Sequence, residues 1–87
     1  MDNLYPKQIE LLKICRSLIE EPETDTVKVT RTALTNLSND ALSPEEVSAL
    51  LNDAESKRHI KVNWTDDDGN FDAVTFNPLT LVILEKL

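Results

Sequence analysis

Few side chains in this sequence are of the kinds that make or break bonds. Cys15 is the only cysteine and His59 the only histidine. Neither has a second titrating group at a spacing that suggests proton transfer or thiolate formation. Cys15 falls in the middle of an apolar stripe, where a small buried hydrophobe is the simplest description. His59 follows Lys57 and Arg58 at what reads as a helix end, which is a structural position. One cysteine and one histidine form no internal disulfide and complete no metal site. The run Asp66-Asp67-Asp68-Gly69-Asn70 offers carboxylates but lacks the spaced ligands and closing glutamate of a calcium loop, so it reads as a polar turn. No phosphate-cradling loop and no nucleophile elbow occurs. The expectation is a protein that is not an enzyme, with no cofactor, no metal and no small-molecule substrate.

What remains is recognition by charge. Sixteen Asp and Glu against nine Lys and Arg give a net charge of −7. Domains that bind DNA usually carry a basic face, because neutralising phosphates supplies most of their non-specific affinity. Here the outward side of the best-defined helix carries Glu45, Glu46, Ser48, Asn52 and Asp53, a face suited to a basic partner. Asp66, Asp67, Asp68 and Asp72 repeat the same sign at the following turn. Capping and dipole complementarity alone suffice to explain Glu45 and Glu46. The candidates for phosphate contact are Lys28, Arg31, Lys57, Arg58 and Lys61. Such contacts position without specifying. The plainer description of these five is solvated charge that balances nearby acids.

The elements that must position these groups follow from periodicity. Residues 6 to 21, PKQIELLKICRSLIEE, predict a first helix with Leu11, Leu12, Cys15, Leu18 and Ile19 on one stripe and Pro6 in its first turn. EPETD breaks it at Pro22 as a surface loop. Residues 26–29 alternate and give a short strand at most. Thr30 caps a second helix from Arg31 to about Leu37, with Val29 and Leu34 as a hydrophobic staple and Ala33, Leu34 and Leu37 inward. Residues 38–41 make a turn in which Asn39 is the residue suited to a left-handed conformation.

The stretch from Leu42 to Phe76 organises the rest. Ser43 caps a third helix, Pro44 opens it, Glu46 closes a capping box, and Leu42 and Val47 staple across the cap. Val47, Leu50, Leu51 and Ala54 form its apolar face, and Lys57-Arg58-His59 end it with cations. Strict alternation then sets Ile60, Val62 and Trp64 on one face of a strand, and Val74 and Phe76 on the return strand. For these to share a face, Ile60 opposes Phe76 and Val62 opposes Val74. That register puts Asp66 opposite Asn70 and leaves Asp67-Asp68-Gly69 as a loop, with the only glycine of the chain at its left-handed position. Trp64 is expected between this hairpin and the first helix. Asn77-Pro78 opens a last helix, LTLVILEKL, apolar around most of its circumference. Leu81, Leu84 and Leu87 are its candidate oligomer contacts, buried against a second copy, a partner or a following domain; the plainer description is a small domain whose end packs irregularly.

The order helix, short strand, helix, helix, hairpin, helix resembles the winged-helix (winged helix-turn-helix) superfamily, with the phrase SPEEVSALLNDAESKRHIKVNWTDDDGNFDAVTF matching its third helix and wing. The expected fold is therefore α+β, a single winged-helix domain over residues 1–87. The chain is also similar to the N-terminal domain of DnaD-type primosomal proteins, through the acidic, glycine-containing tip, Pro78-Leu79 and Glu85-Lys86-Leu87. That likeness implies oligomerisation and partner contacts. Two functions are expected. One is a self-associating module that binds a protein in a transcription or replication context. The other is a double-stranded DNA-binding regulator acting as a dimer. No apolar run approaches the ~18 residues of a membrane span, and MDNLYPKQIE lacks the order of a signal peptide. A cytoplasmic protein is expected.

Overall fold

The computed structural model describes residues 4–19, 24–39 and 41–86. Four helices and three antiparallel strands follow one another as α1 (Pro6–Ser17), β1 (Thr26–Lys28), α2 (Arg31–Leu37), α3 (Pro44–Ser56), β2 (Ile60–Trp64), β3 (Phe71–Phe76) and α4 (Pro78–Lys86). The sheet order is β1-β3-β2, so the return strand of the hairpin is central. The helices and the inner sheet face enclose one core around Leu11, Leu12, Val47, Leu51, Val74 and Phe76. The class is α+β, as expected.

α1 is shorter than its periodicity predicts. Beyond Ser17 the chain tightens into i→i−3 bonds, Leu18 N to Cys15 O at 3.0 Å and Ile19 N to Arg16 O at 3.1 Å. The Ser17 hydroxyl also bonds back to Ile14 O at 2.6 Å. The predicted continuation through Glu20 and Glu21, the break at Pro22, and the turn residue Asp40 lie outside the described residues. Leu11, Leu12 and Cys15 are fully buried, and burial pushes the Cys15 thiol up to about 12, so it is an inert core group.

The caps form as their sequence signals require. Thr30 Oγ1 accepts from Ala33 N at 3.2 Å, and Asn39 takes φ 55° in the turn after α2. Ser43 Oγ accepts from Glu46 N at 3.1 Å while Glu46 Oε1 accepts from Ser43 N at 3.2 Å. Leu37, expected inward, is 46% exposed; α2 ends there and Leu34 is its only fully buried residue. α3 ends in a Schellman arrangement, with His59 N on Ala54 O and Arg58 N on Glu55 O. Arg58 sits at its left-handed position with φ 65°.

The hairpin begins in the expected register, Ile60 with Phe76 and Val62 with Val74, and then slips, so that Trp64 pairs with Phe71. Two residues of β3, Asp72 and Ala73, bulge against Asn63. The slip moves Phe71 into the core at 2% exposure and Asp72 to solvent. It also corrects the loop: Thr65 N bonds Asn70 O at 2.8 Å, so the connection is the four residues 66–69 and Asp66 does not oppose Asn70 in the ladder. Trp64 likewise finds its partners away from α1. Its ring meets Phe71 edge to face at 5.7 Å and its Nε1 donates to Glu55 of α3 at 3.0 Å.

Two positions in left-handed backbone differ in how well their residues fit. Gly69 has φ 93°, and a Cβ there would lie 2.8 Å from Ser48 Oγ. Gly69→Ala is expected to lower stability by about 2 kcal/mol through strain and clash, read as a fall in the denaturant midpoint. Arg58→Gly is expected to raise stability by about 0.5–1 kcal/mol, because relief of left-handed strain outweighs the added chain entropy. An unchanged or lowered midpoint would refute the second expectation.

Candidate functional site

The hairpin tip is fastened to the helices. Ser48 Oγ on α3 donates to Gly69 O at 2.7 Å. Arg31 Nη1 on α2 donates to Asp68 O at 3.0 Å and lies 3.4 Å from the Ser48 hydroxyl. Between them an open groove of about 500 Å³ runs past Ser48, Ala49 and Asn52 of α3, Trp64 of β2 and residues 66–69. Asp66 spends its carboxylate inside the loop. Its Oδ1 accepts from Asp68 N at 2.8 Å and Asn70 N at 3.2 Å, and its Oδ2 from Asn70 Nδ2 at 2.7 Å. The Asn70 side chain, then the Asn70 and Asp68 amides, hold it below the ordinary aspartate range. Asp67 and Asp68 are exposed, and among the described residues no ion pair involves them.

The expected acidic face of α3 is less uniform than its sequence. Glu45 and Asn52 are exposed. Glu46 belongs to the cap and meets Lys7 of α1 at 3.0 Å, and that lysine holds its carboxyl low. Asp53 is bonded by Lys57 at 2.9 Å and by the buried Gln8 at 2.7 Å, again lowering its pKa. Ser48 is committed to the tip. The free carboxylates of the groove therefore belong mainly to the hairpin, at Asp67 and Asp68, with Glu45 on the adjoining helix.

The five cations divide, with two engaged within the chain and three at the hairpin base and outer sheet face. Arg31 is engaged at the tip. Lys57 pairs with Asp53 and stands 4.5 Å from the Tyr5 ring centroid. Lys28 lies exposed on β1 opposite Ala73. Arg58 and Lys61 border a separate hollow at the base of the hairpin. No known family, curated protein or solved structure matches this chain.

His59 is 3% exposed, with Nδ1 3.3 Å from Thr80 Oγ1 and its carbonyl accepting from Asn77 N at 3.0 Å, so it joins the end of α3 to α4. Among the described residues no cluster of three or more His, Cys, Asp and Glu could hold a metal ion, and no helix is long and apolar enough to cross a membrane. Of the expected oligomer contacts, Leu84 is 2% exposed and belongs to the core, because α4 turns that side onto α1. Leu81 is half-buried against the same core, and Leu87 lies outside the described residues. The large hydrophobic residues that α4 exposes are Leu79 and Val82.

Two supporting side chains escaped the sequence pattern. Glu55 receives both the Trp64 indole N–H and, at 2.7 Å, the Val62 amide. Gln8 receives the Tyr5 amide and donates to Leu50 O and Asp53. Pro6 at the first helical position with Gln8 two residues on is the signal for the second; nothing local marks the first.

The Asp66 shift has a sign that can be measured. A carboxylate with a lowered folded pKa contributes stability that is present above its unfolded pKa and lost as pH falls through the folded one. The Tm difference between the wild type and Asp66→Asn, which keeps one acceptor oxygen and removes the charge, is expected to be constant at neutral pH. It should shrink only as pH falls below the ordinary aspartate range. A gap independent of pH would contradict the assignment.

Proposed function

We propose that this chain is a non-enzymatic interaction module of the winged-helix type, which takes a basic protein surface into the groove between α3 and the hairpin tip. The order of elements, the third strand beside the hairpin and the α3-hairpin junction support the architecture. One observation carries the function. Among the described residues, Asp67 and Asp68 have no ion pair, and they stand on a loop that Ser48 and Arg31 hold against α3. A held loop loses little freedom on binding, so a basic partner meets a preformed anionic surface. Trp64 beside it supplies an aromatic edge of the sort found at interface centres. A transcription or replication assembly in the cytoplasm is the setting proposed for it, and the buried, unpaired Cys15 suits a reducing compartment.

The second expectation, a dimeric regulator on duplex DNA, finds less support in the charges. A phosphate backbone laid along α3 would approach Glu45 and the tip aspartates, while Arg31 and Lys57 are engaged within the chain. The two readings separate in one titration at low salt, with an oligolysine peptide and with a mixed-sequence duplex as probes. The peptide is expected to change Trp64 fluorescence and to bind about tenfold more weakly to Asp67→Asn/Asp68→Asn, with a Glu10→Gln control unaffected. The duplex is expected to give no mobility shift at about 10 μM protein. A shift abolished by Lys61→Glu, with no response to the peptide, would reverse the proposal.

A further inference from the structure

The two ends of the hairpin carry opposite charge. At its base, Arg58 and Lys61 border a hollow of about 470 Å³ whose walls include Ile60, Thr75 and Asn77. Both cations are exposed, and among the described residues neither enters an ion pair. The one acid in the hollow, Glu55, has its two oxygens occupied by the Val62 amide and the Trp64 indole. The register extends this surface. Lys61 lies opposite Thr75, Thr75 opposite Thr26, and Lys28 opposite Ala73, so the two lysines flank β3 on the same outer sheet face. Asp67 and Asp68 stand at the far end of the same hairpin, beyond the roughly 10 Å that β2 runs from Lys61 to Trp64 at about 3.3 Å per residue.

We propose that the basic surface the acidic tip accepts is supplied by a second copy of this chain, with Asp67 and Asp68 of one copy docked at the Arg58 and Lys61 hollow of the next. The proposal rests on the reading of the tip as an anionic docking end and names its partner. Both halves of the charge match are present on one molecule, at opposite ends of one rigid element, which is the arrangement head-to-tail association needs. The contact is heterologous, so it extends into short chains unless the rotation closes a ring.

Net charge sets the conditions. Two copies at −7 repel, and at about 0.01 M salt the Debye length of about 30 Å spans the molecule, whose extents are 30 × 26 × 24 Å. At about 0.1 M the range falls to about 10 Å, so juxtaposed opposite charges dominate, and at about 1 M even these are weakened. Association therefore peaks at intermediate salt.

Sedimentation velocity on the full chain, at those three salt concentrations and up to about 1 mM protein, tests this. The wild type is expected to gain mass with concentration most at intermediate salt. Asp67→Lys alone and Lys61→Glu alone should each weaken association about tenfold or more, because each sets like charge against like. An equimolar mixture of the two should restore it, since each supplies the end the other has lost. A wild type that stays monomeric throughout overturns the proposal, as does association unaffected by either variant. The latter would direct attention to Leu79 and Val82 on α4. Oligolysine binding measured on the same samples separates the two readings: peptide binding with no self-association removes the second copy and leaves the groove. Loss of both removes the groove reading as well.

Discussion

The Ser48 hydroxyl and the Arg31 guanidinium hold two carbonyls of the hairpin tip, and the character of that side of the molecule depends on the hold. A four-residue loop with three aspartates would otherwise spread under its own repulsion. Instead its backbone oxygens are turned toward donors from two helices, and Asp66 folds its carboxylate back onto the Asp68 and Asn70 amides. The loop thereby keeps two solvent-facing carboxylates in a fixed relation to α3. Gly69 is the condition for this closeness, since the Ser48 side chain occupies the space a Cβ would take.

Charge elsewhere is arranged to cancel. Lys7 reaches from α1 to Glu46, Lys57 turns back to Asp53, and Arg16 ties α1 to Glu85 of α4. These pairs are solvent-exposed in large part, and such bridges contribute little individually. Their effect is on the distribution of charge: the middle of α3 is quieted while the hairpin tip and base remain charged with opposite signs. A chain at −7 thus presents its acids locally, and the net figure describes none of its surfaces well.

Much of the fold was legible because its signals are local. Caps, boxes and staples are set within about five residues, and Thr30, Ser43 and Asn39 behave as their positions demand. The hairpin register followed from two apolar sets needing one face, as far as Val62 and Val74. The bulge was harder to see, although Phe71 followed by Asp72 reverses the alternation that Val74 and Phe76 establish, and a reversal of phase is what an extra residue produces. The candidate site was legible in composition and less so in geometry. The aspartates and the five cations are evident in the chain. That Arg31 would meet a carbonyl 37 residues away, or that Asp53 would share its carboxylate with Gln8 and Lys57, depends on tertiary placement that no spacing encodes. Leu37 and Leu84 exchanged their expected roles for the same reason, since apolar periodicity says which residues share a side and not which side is covered.

Glu55 gives the sheet a property beyond the site. β2 is an outer strand, and such strands offer unpaired amides to any passing extended chain. By accepting the Val62 amide, the Glu55 carboxylate closes that margin at its middle, and the same carboxylate steadies the indole of Trp64. The opposite margin, β1, is only three residues long, and its first amide is occupied by the Thr24 hydroxyl. The molecule thus has one long margin guarded by an acid and one short margin with little to offer. This resists amyloid-type growth, and neutralising a single glutamate would compromise it.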